Sequence, residues 1–264
     1  ETMEYIEKAY QKDSSIIGLK TGLKDFDKKI SGLHNSDLII LAGRPSMGKT
    51  AFATNIAYNI TNTYEKQKID NPDSKGKVLF FSLEMSSEQL VTRLLSESSN
   101  ISSQKIRSGE ISKVEFSKIV KSSEKISNLS MFIDDSPALT ISSIRTRARR
   151  IKRKEGLDLI IIDYLQLIES QNKNGNDNRV KEVSDITRGL KALAKELNIP
   201  VIALSQLSRK VEDREEKRPQ LADLRESGAI EQDADLVVFL YREEYYLERS
   251  EPTEGTEKHA IWLN

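Results

Sequence analysis

Six short apolar runs punctuate this chain: LIILA at 38–42, VLFFSL at 78–83, MFID at 131–134, LIIID at 159–163, VIALS at 201–205 and LVVFLY at 236–241. None alternates apolar with polar residues, so each reads as a strand covered on both faces. Longer amphipathic stretches separate them, which is the pattern of a mostly parallel central sheet with crossover helices, an α/β fold. With 264 residues and 37% of them apolar, the chain can build one large domain with its own core. Three polar or charge-dense stretches, NPDSKGK near 71–77, QNKNGNDNR at 171–179 and SRKVEDREEKRPQ at 208–220, are expected to be mobile loops.

Charge and cysteine content narrow the chemistry. The 41 basic and 41 acidic residues cancel, so no overall field drives attachment to nucleic acid or an anionic membrane, and any such contact must be local. The absence of cysteine excludes disulfides and thiolate sites and suits a reducing compartment. No stretch approaches the roughly 20 apolar residues of a membrane span, and no charged-then-apolar leader opens the chain. A cytoplasmic protein without membrane contact is expected.

The strongest motif is Gly43-Arg44-Pro45-Ser46-Met47-Gly48-Lys49-Thr50, which matches G-x-x-x-x-G-K-[ST] between a strand ending at Ala42 and an amphipathic helix. Glycines let backbone N–H groups turn inward around a β-phosphate, and the following helix presents its positive end. Lys49 then reaches the β/γ oxygens and Thr50 supplies a hydroxyl to Mg²⁺. Candidate nucleotide-binding residues are thus Gly43, Arg44, Pro45, Ser46, Met47, Gly48, Lys49, Thr50 and the adjoining Ala51.

Strand ends offer the remaining parts. Asp163 closes the most apolar run and is the candidate second metal site beside Thr50; the alternative is an aspartate opening a turn. Glu84 ends another run and is a candidate base for water, or else a first-turn carboxylate beside a helix start at Ser86 or Ser87. Gln206, one residue past VIALS, either bonds the γ-phosphate or caps its strand. Glu84, Lys49 and Gln206 are the candidate catalytic residues, with ATP and Mg²⁺ as substrate and cofactor.

In this order, GRPSMGKT, SLEM, LIIIDYLQL, ALSQLSR and DLRESGAIEQDADLVVFLYR resemble the successive motifs of DnaB-type replicative helicases over nearly the whole chain. DLRESGAIEQDAD is more distinctive than the phosphate loop, which many ATPases share. The resemblance implies a RecA-like P-loop NTPase core in a hexameric ring, with ATP between neighbours and single-stranded DNA in the channel, unwinding duplex DNA at the replication fork. It implies Glu84 as base, Gln206 as γ-phosphate sensor linked to the DNA loops, and Arg225, Glu226 and Gly228 on a loop touching the DNA backbone. One arginine per subunit plus main-chain donors tracks phosphates regardless of sequence. An exposed Arg225–Glu226 pair on a helix is the bland alternative.

The resemblance also divides the chain. Residues 1–15, with Met3, Ile6 and Tyr10 at helical spacing, are similar to a linker helix that docks on the neighbouring subunit, and 16–264 to the motor domain. Both ends read as cuts in something longer: the family's basic finger that reaches the next subunit's ATP is expected beyond Asn264, and primase and a helicase loader are expected to bind the parent protein. The basic run Arg145 to Lys154 surrounds its helix without interleaved aromatics, and reads as a solvated or subunit-facing helix sooner than a DNA tract. His34 and His259 lie too far apart to suggest a metal motif. The same core also hosts strand-exchange recombinases and regulatory ATPases; near-neutral charge mildly favours the latter, and DLRESG opposes it.

Overall fold

The computed structural model describes residues 16–71, 74–169, 179–224 and 227–247. The expected linker helix at 1–15, most of the Asn-rich stretch, Arg225, Glu226 and His259 lie outside them.

All six apolar runs form strands: β1 (Leu38–Gly43), β2 (Val78–Ser82), β3 (Met131–Asp134), β4 (Leu159–Asp163), β5 (Val201–Gln206) and β6 (Leu236–Phe239). They hydrogen-bond in the order β3-β2-β4-β5-β1-β6, and each of the five pairings is parallel. The four inner strands are buried along their lengths, apart from Gln206. The outermost, β3 and β6, are half-buried.

Strand geometry explains the unbroken apolar runs. Successive side chains point to opposite faces, and each face has its own helical cover. Leu38, Ile40, Leu79, Phe81, Ile160, Ile162, Val201 and Ala203 pack with Ile144 and Ala148 of one helix and Val183, Ile186, Leu190 and Leu193 of another. Ile39, Leu41, Val78, Phe80, Leu159, Ile161, Ile202 and Leu204 pack with Ala53, Ile56, Ala57, Ile60 and Leu90. The helices, in chain order, are α1 (Lys24–Ile30), α2 (Lys49–Gln67), α3 (Ser87–Ser99), α4 (Ser103–Ser108), α5 (Lys113–Ser127), α6 (Ile141–Lys154), α7 (Arg179–Leu197), α8 (Ser227–Asp233) and α9 (Glu243–Leu247). Full burial of such a side chain contributes about 1.5–3 kcal/mol, so the two layers hold the sheet from both sides.

Two stretches differ from expectation. The 208–220 segment is pinned: Arg209–Asp213 is a 3-10 turn, Val211 is buried, and Arg214 donates to Asp223 at 2.6 Å. Its charges meet partners within the fold, which polarity alone does not reveal. The basic helix α6 likewise spends its cations on the chain's own carboxylates. Arg145 donates to Glu196 at 2.9 Å, Arg149 pairs with the same carboxylate, and Arg147 donates to Asp134 at 2.5 and 2.6 Å and to Ser136 at 2.7 Å. Near 71–77, the Asp158 carboxylate accepts from the backbone of Gly76 at 2.8 Å and Lys77 at 3.0 Å.

Candidate nucleotide site

β1 ends at Gly43 and α2 begins at Lys49, so the phosphate loop joins a buried strand to a 19-residue helix. The turn needs left-handed backbone at Ser46 (φ 65°) and Gly48 (φ 90°). A Cβ on Gly48 would meet nothing within 4 Å, so conformation and not space calls for glycine there. No side chain caps the start of α2, which leaves its first-turn N–H groups to an anion. Lys49 Nζ donates to the carbonyls of Gly43 at 2.8 Å and Arg44 at 3.0 Å. Burial pushes the Lys49 pKa down; Asp163 and Glu84 oppose this, and Arg44 adds to it.

Asp163 is 1% exposed and accepts the Thr50 hydroxyl at 2.7 Å. Burial raises its pKa; the Thr50 bond lowers it, Glu84 raises it further, and Lys49 and Arg93 lower it. Among the described residues no cluster of three or more histidines or carboxylates gathers to hold a metal. One carboxylate and one hydroxyl nevertheless fit Mg²⁺, which binds through one or two carboxylates together with substrate phosphates and water.

Glu84 lies just past β2, in a turn held by Ser82 Oγ donating to the Met85 carbonyl at 2.7 Å and Leu83 N–H donating to the Asp163 carbonyl at 2.8 Å. The start of α3 is capped by Ser86, whose hydroxyl accepts from Gln89 N–H while Gln89 returns the bond, both at 3.3 Å. With that capping box complete, Glu84 is not the helix cap. Gln206 pairs in register with Gly43 across the β1–β5 ladder, and its N–H donates to Gln166 at 3.3 Å.

These residues line one cleft of about 890 Å³, shared by Pro45, Ser46, Gly48, Lys49, Thr50, Ala51, Glu84 and Gln206. That volume lies in the usual range of small-molecule sites. The side chains of Arg44 and Met47 instead turn into the fold, 7% and 4% exposed. Arg44 Nε donates to Glu212 and its Nη1 to the Leu207 carbonyl, both at 2.9 Å. The motifs do not foretell the cleft's other wall: Glu88, Gln89, Thr92 and Arg93 of α3, then Arg107 and Tyr164. A signal for it exists, since positions 88, 89, 92 and 93 form one polar stripe at helical spacing. Gly228 lies exposed in the first turn of α8, and Arg225 and Glu226 are outside the described residues.

Residues 18–263 match the family model described as the DnaB-like helicase C-terminal domain. The chain belongs to that family. Its relatives include the replicative DNA helicase DnaB of Rickettsia typhi, 60% identical over all of this chain and 53% of the relative. That of Geobacillus stearothermophilus is 49% identical over 95% of this chain and 53% of its own length. The chain therefore spans about half the length of the curated relatives it matches. As a DnaB-like domain it superimposes on a solved helicase ATPase domain with a TM-score of 0.84, at 39% identity over 95% of this chain and 85% of that one. It superimposes equally on a DnaB-like replicative helicase described with its interactions with primase: TM-score 0.83, 39% identity, 96% and 58% coverage. The family resemblance and the RecA-like fold expected from the motifs are both borne out.

Proposed function

We propose that this domain is the ATP-hydrolysing motor of a replicative DNA helicase, assembled as a homo-hexameric ring that translocates on single-stranded DNA in the cytoplasm. One observation carries the reading: in a chain of this family, a phosphate loop, a buried carboxylate bonded to Thr50, Glu84 and Gln206 all meet in a single cleft. The family match supports a helicase, and the motif order supports the DNA and ring assignments. No helix among the described residues is long and apolar enough to cross a membrane.

The residues divide the work. Phosphate-loop N–H groups and Lys49 hold the β- and γ-phosphates. Thr50 and Asp163 would hold Mg²⁺, which when bound neutralises charge building on the phosphate oxygens. Glu84 orients water against the γ-phosphorus and takes its proton as the bond to the β-bridging oxygen breaks, releasing ADP and phosphate. Arg93 adds positive charge on the opposite wall. Gln206 reads the γ-phosphate, and its neighbour Leu207 forms a bridge with Leu224, directly before the proposed DNA contacts Arg225, Glu226 and Gly228. Primase and a helicase loader act through the parent protein.

The test is ATP-dependent unwinding of a forked DNA by the full-length parent protein, with Glu84→Gln as control. Unwinding that the control loses supports motor and base together. ATPase stimulated by single-stranded DNA without unwinding points to the recombinase class. No stimulation points to a regulatory ATPase.

A further inference from the structure

The chain between Leu207 and Leu224 is a closed loop. Its ends face each other in an antiparallel bridge, and Ser208 N–H donates to the Asp223 carbonyl at 2.9 Å. Inside, the Asp223 carboxylate, 6% exposed, accepts from Arg214 at 2.6 Å and from Gln220 N–H at 2.8 Å, while Val211 is fully buried. The loop thus moves as a unit, with its exit at Leu224.

Its tie to the nucleotide side is Arg44, second residue of the phosphate loop. That guanidinium is almost wholly buried, which is costly unless it is paired. Both bonds it makes land on this loop, one on Glu212 and one on the Leu207 carbonyl, each at 2.9 Å. The backbone of the same residue faces the cleft chemistry: Lys49 Nζ donates to the Arg44 carbonyl at 3.0 Å. A triphosphate drawing the Lys49 ammonium toward its β- and γ-oxygens competes with that carbonyl. The residue that exchanges a bond with nucleotide therefore also grips the loop.

We propose that Arg44 and Glu212 are a positioning pair tying the 207–224 loop to the phosphate loop, so that nucleotide at Lys49 sets where the chain emerges from Leu224. The proposal rests on the reading that residues after Leu224 contact single-stranded DNA. It adds a route from the phosphate loop to that contact, running beside Gln206. Coupling of this kind is reciprocal: nucleotide changes DNA affinity by the factor with which DNA changes nucleotide affinity.

The test uses the full-length protein and Glu212→Gln, which keeps the side chain's shape, removes its charge and lies outside the cleft. KM for ATP, DNA-free turnover and melting temperature are expected to stay near wild type, whereas the kcat stimulated by single-stranded DNA falls about fivefold or more, the low end of typical coupling. Arg214→Gln, which loosens the loop's inner pair, should give the same split. Full stimulation retained in both variants overturns the proposal. So does an equal loss of basal and stimulated turnover with a lower melting temperature, which marks a merely structural pair. A wild-type protein that single-stranded DNA does not stimulate sinks the DNA reading itself and the proposal with it.

Discussion

Thr50 donates its hydroxyl to Asp163 across 2.7 Å, joining the first turn of α2 to the end of β4. The acceptor is almost wholly buried, and burial raises its pKa above the ordinary 3.8. The folded domain thus keeps this proton to a higher pH than the unfolded chain does, so Asp163 lowers stability as pH rises from about 4 through its raised pKa. Asp163→Asn should therefore melt higher than wild type at neutral pH without nucleotide, by about 2–4 °C for each kcal/mol relieved. The gap should close on acidification toward pH 4, and Mg²⁺-dependent turnover should disappear. A melting curve series across that range checks it; a variant less stable at pH 7 would refute the argument.

Lys49 and Glu84 share the cleft but have separable tasks. Lys49→Ala should weaken nucleotide binding by about 1.5–3 kcal/mol, the worth of a bond to a charged group, visible as a 10- to 100-fold loss in a fluorescent-nucleotide titration. Glu84→Gln should bind as wild type and turn over about 10²- to 10⁴-fold more slowly. Normal turnover in the glutamine variant removes the base assignment.

Ser86 holds the start of α3, the helix that carries Arg93 to the cleft wall. Ser86→Ala breaks the capping box and should cost about 0.5–2 kcal/mol of stability, read from urea denaturation. A midpoint identical to wild type would show that the box is dispensable.

Arg225→Ala should weaken binding of single-stranded DNA about equally for all sequences and reduce the salt slope by about one. Binding titrations at several salt concentrations decide it, and an unchanged slope moves the DNA contact elsewhere.

The strands were legible because residues buried on both faces cannot alternate, and β1, β2 and β4 follow that rule without exception. The phosphate loop was legible because its backbone demands particular residues. The sequence left Glu84 open, and the Ser86–Gln89 exchange settles only that the helix has another cap. Arg93 and Arg107 escape a reading of the sequence because nothing local distinguishes a cleft-facing arginine from a solvated one. The pinning of 208–220 also escapes it, since the Arg44–Glu212 bond joins residues 168 positions apart.

Strands β2, β4, β5 and β1 stand consecutively in the sheet, and Glu84, Asp163, Gln206 and Gly43 sit at or just past their carboxyl ends. Main-chain hydrogen bonds hold neighbouring strands about 4.8 Å apart whatever side chains they carry. The sheet edge is therefore a ruler with its graduations cut in backbone. Side chains on α2, α6 and α7 can be rewritten, by drift or by design, within the volume the core allows, and the reach from water-orienting carboxylate to metal carboxylate keeps its length.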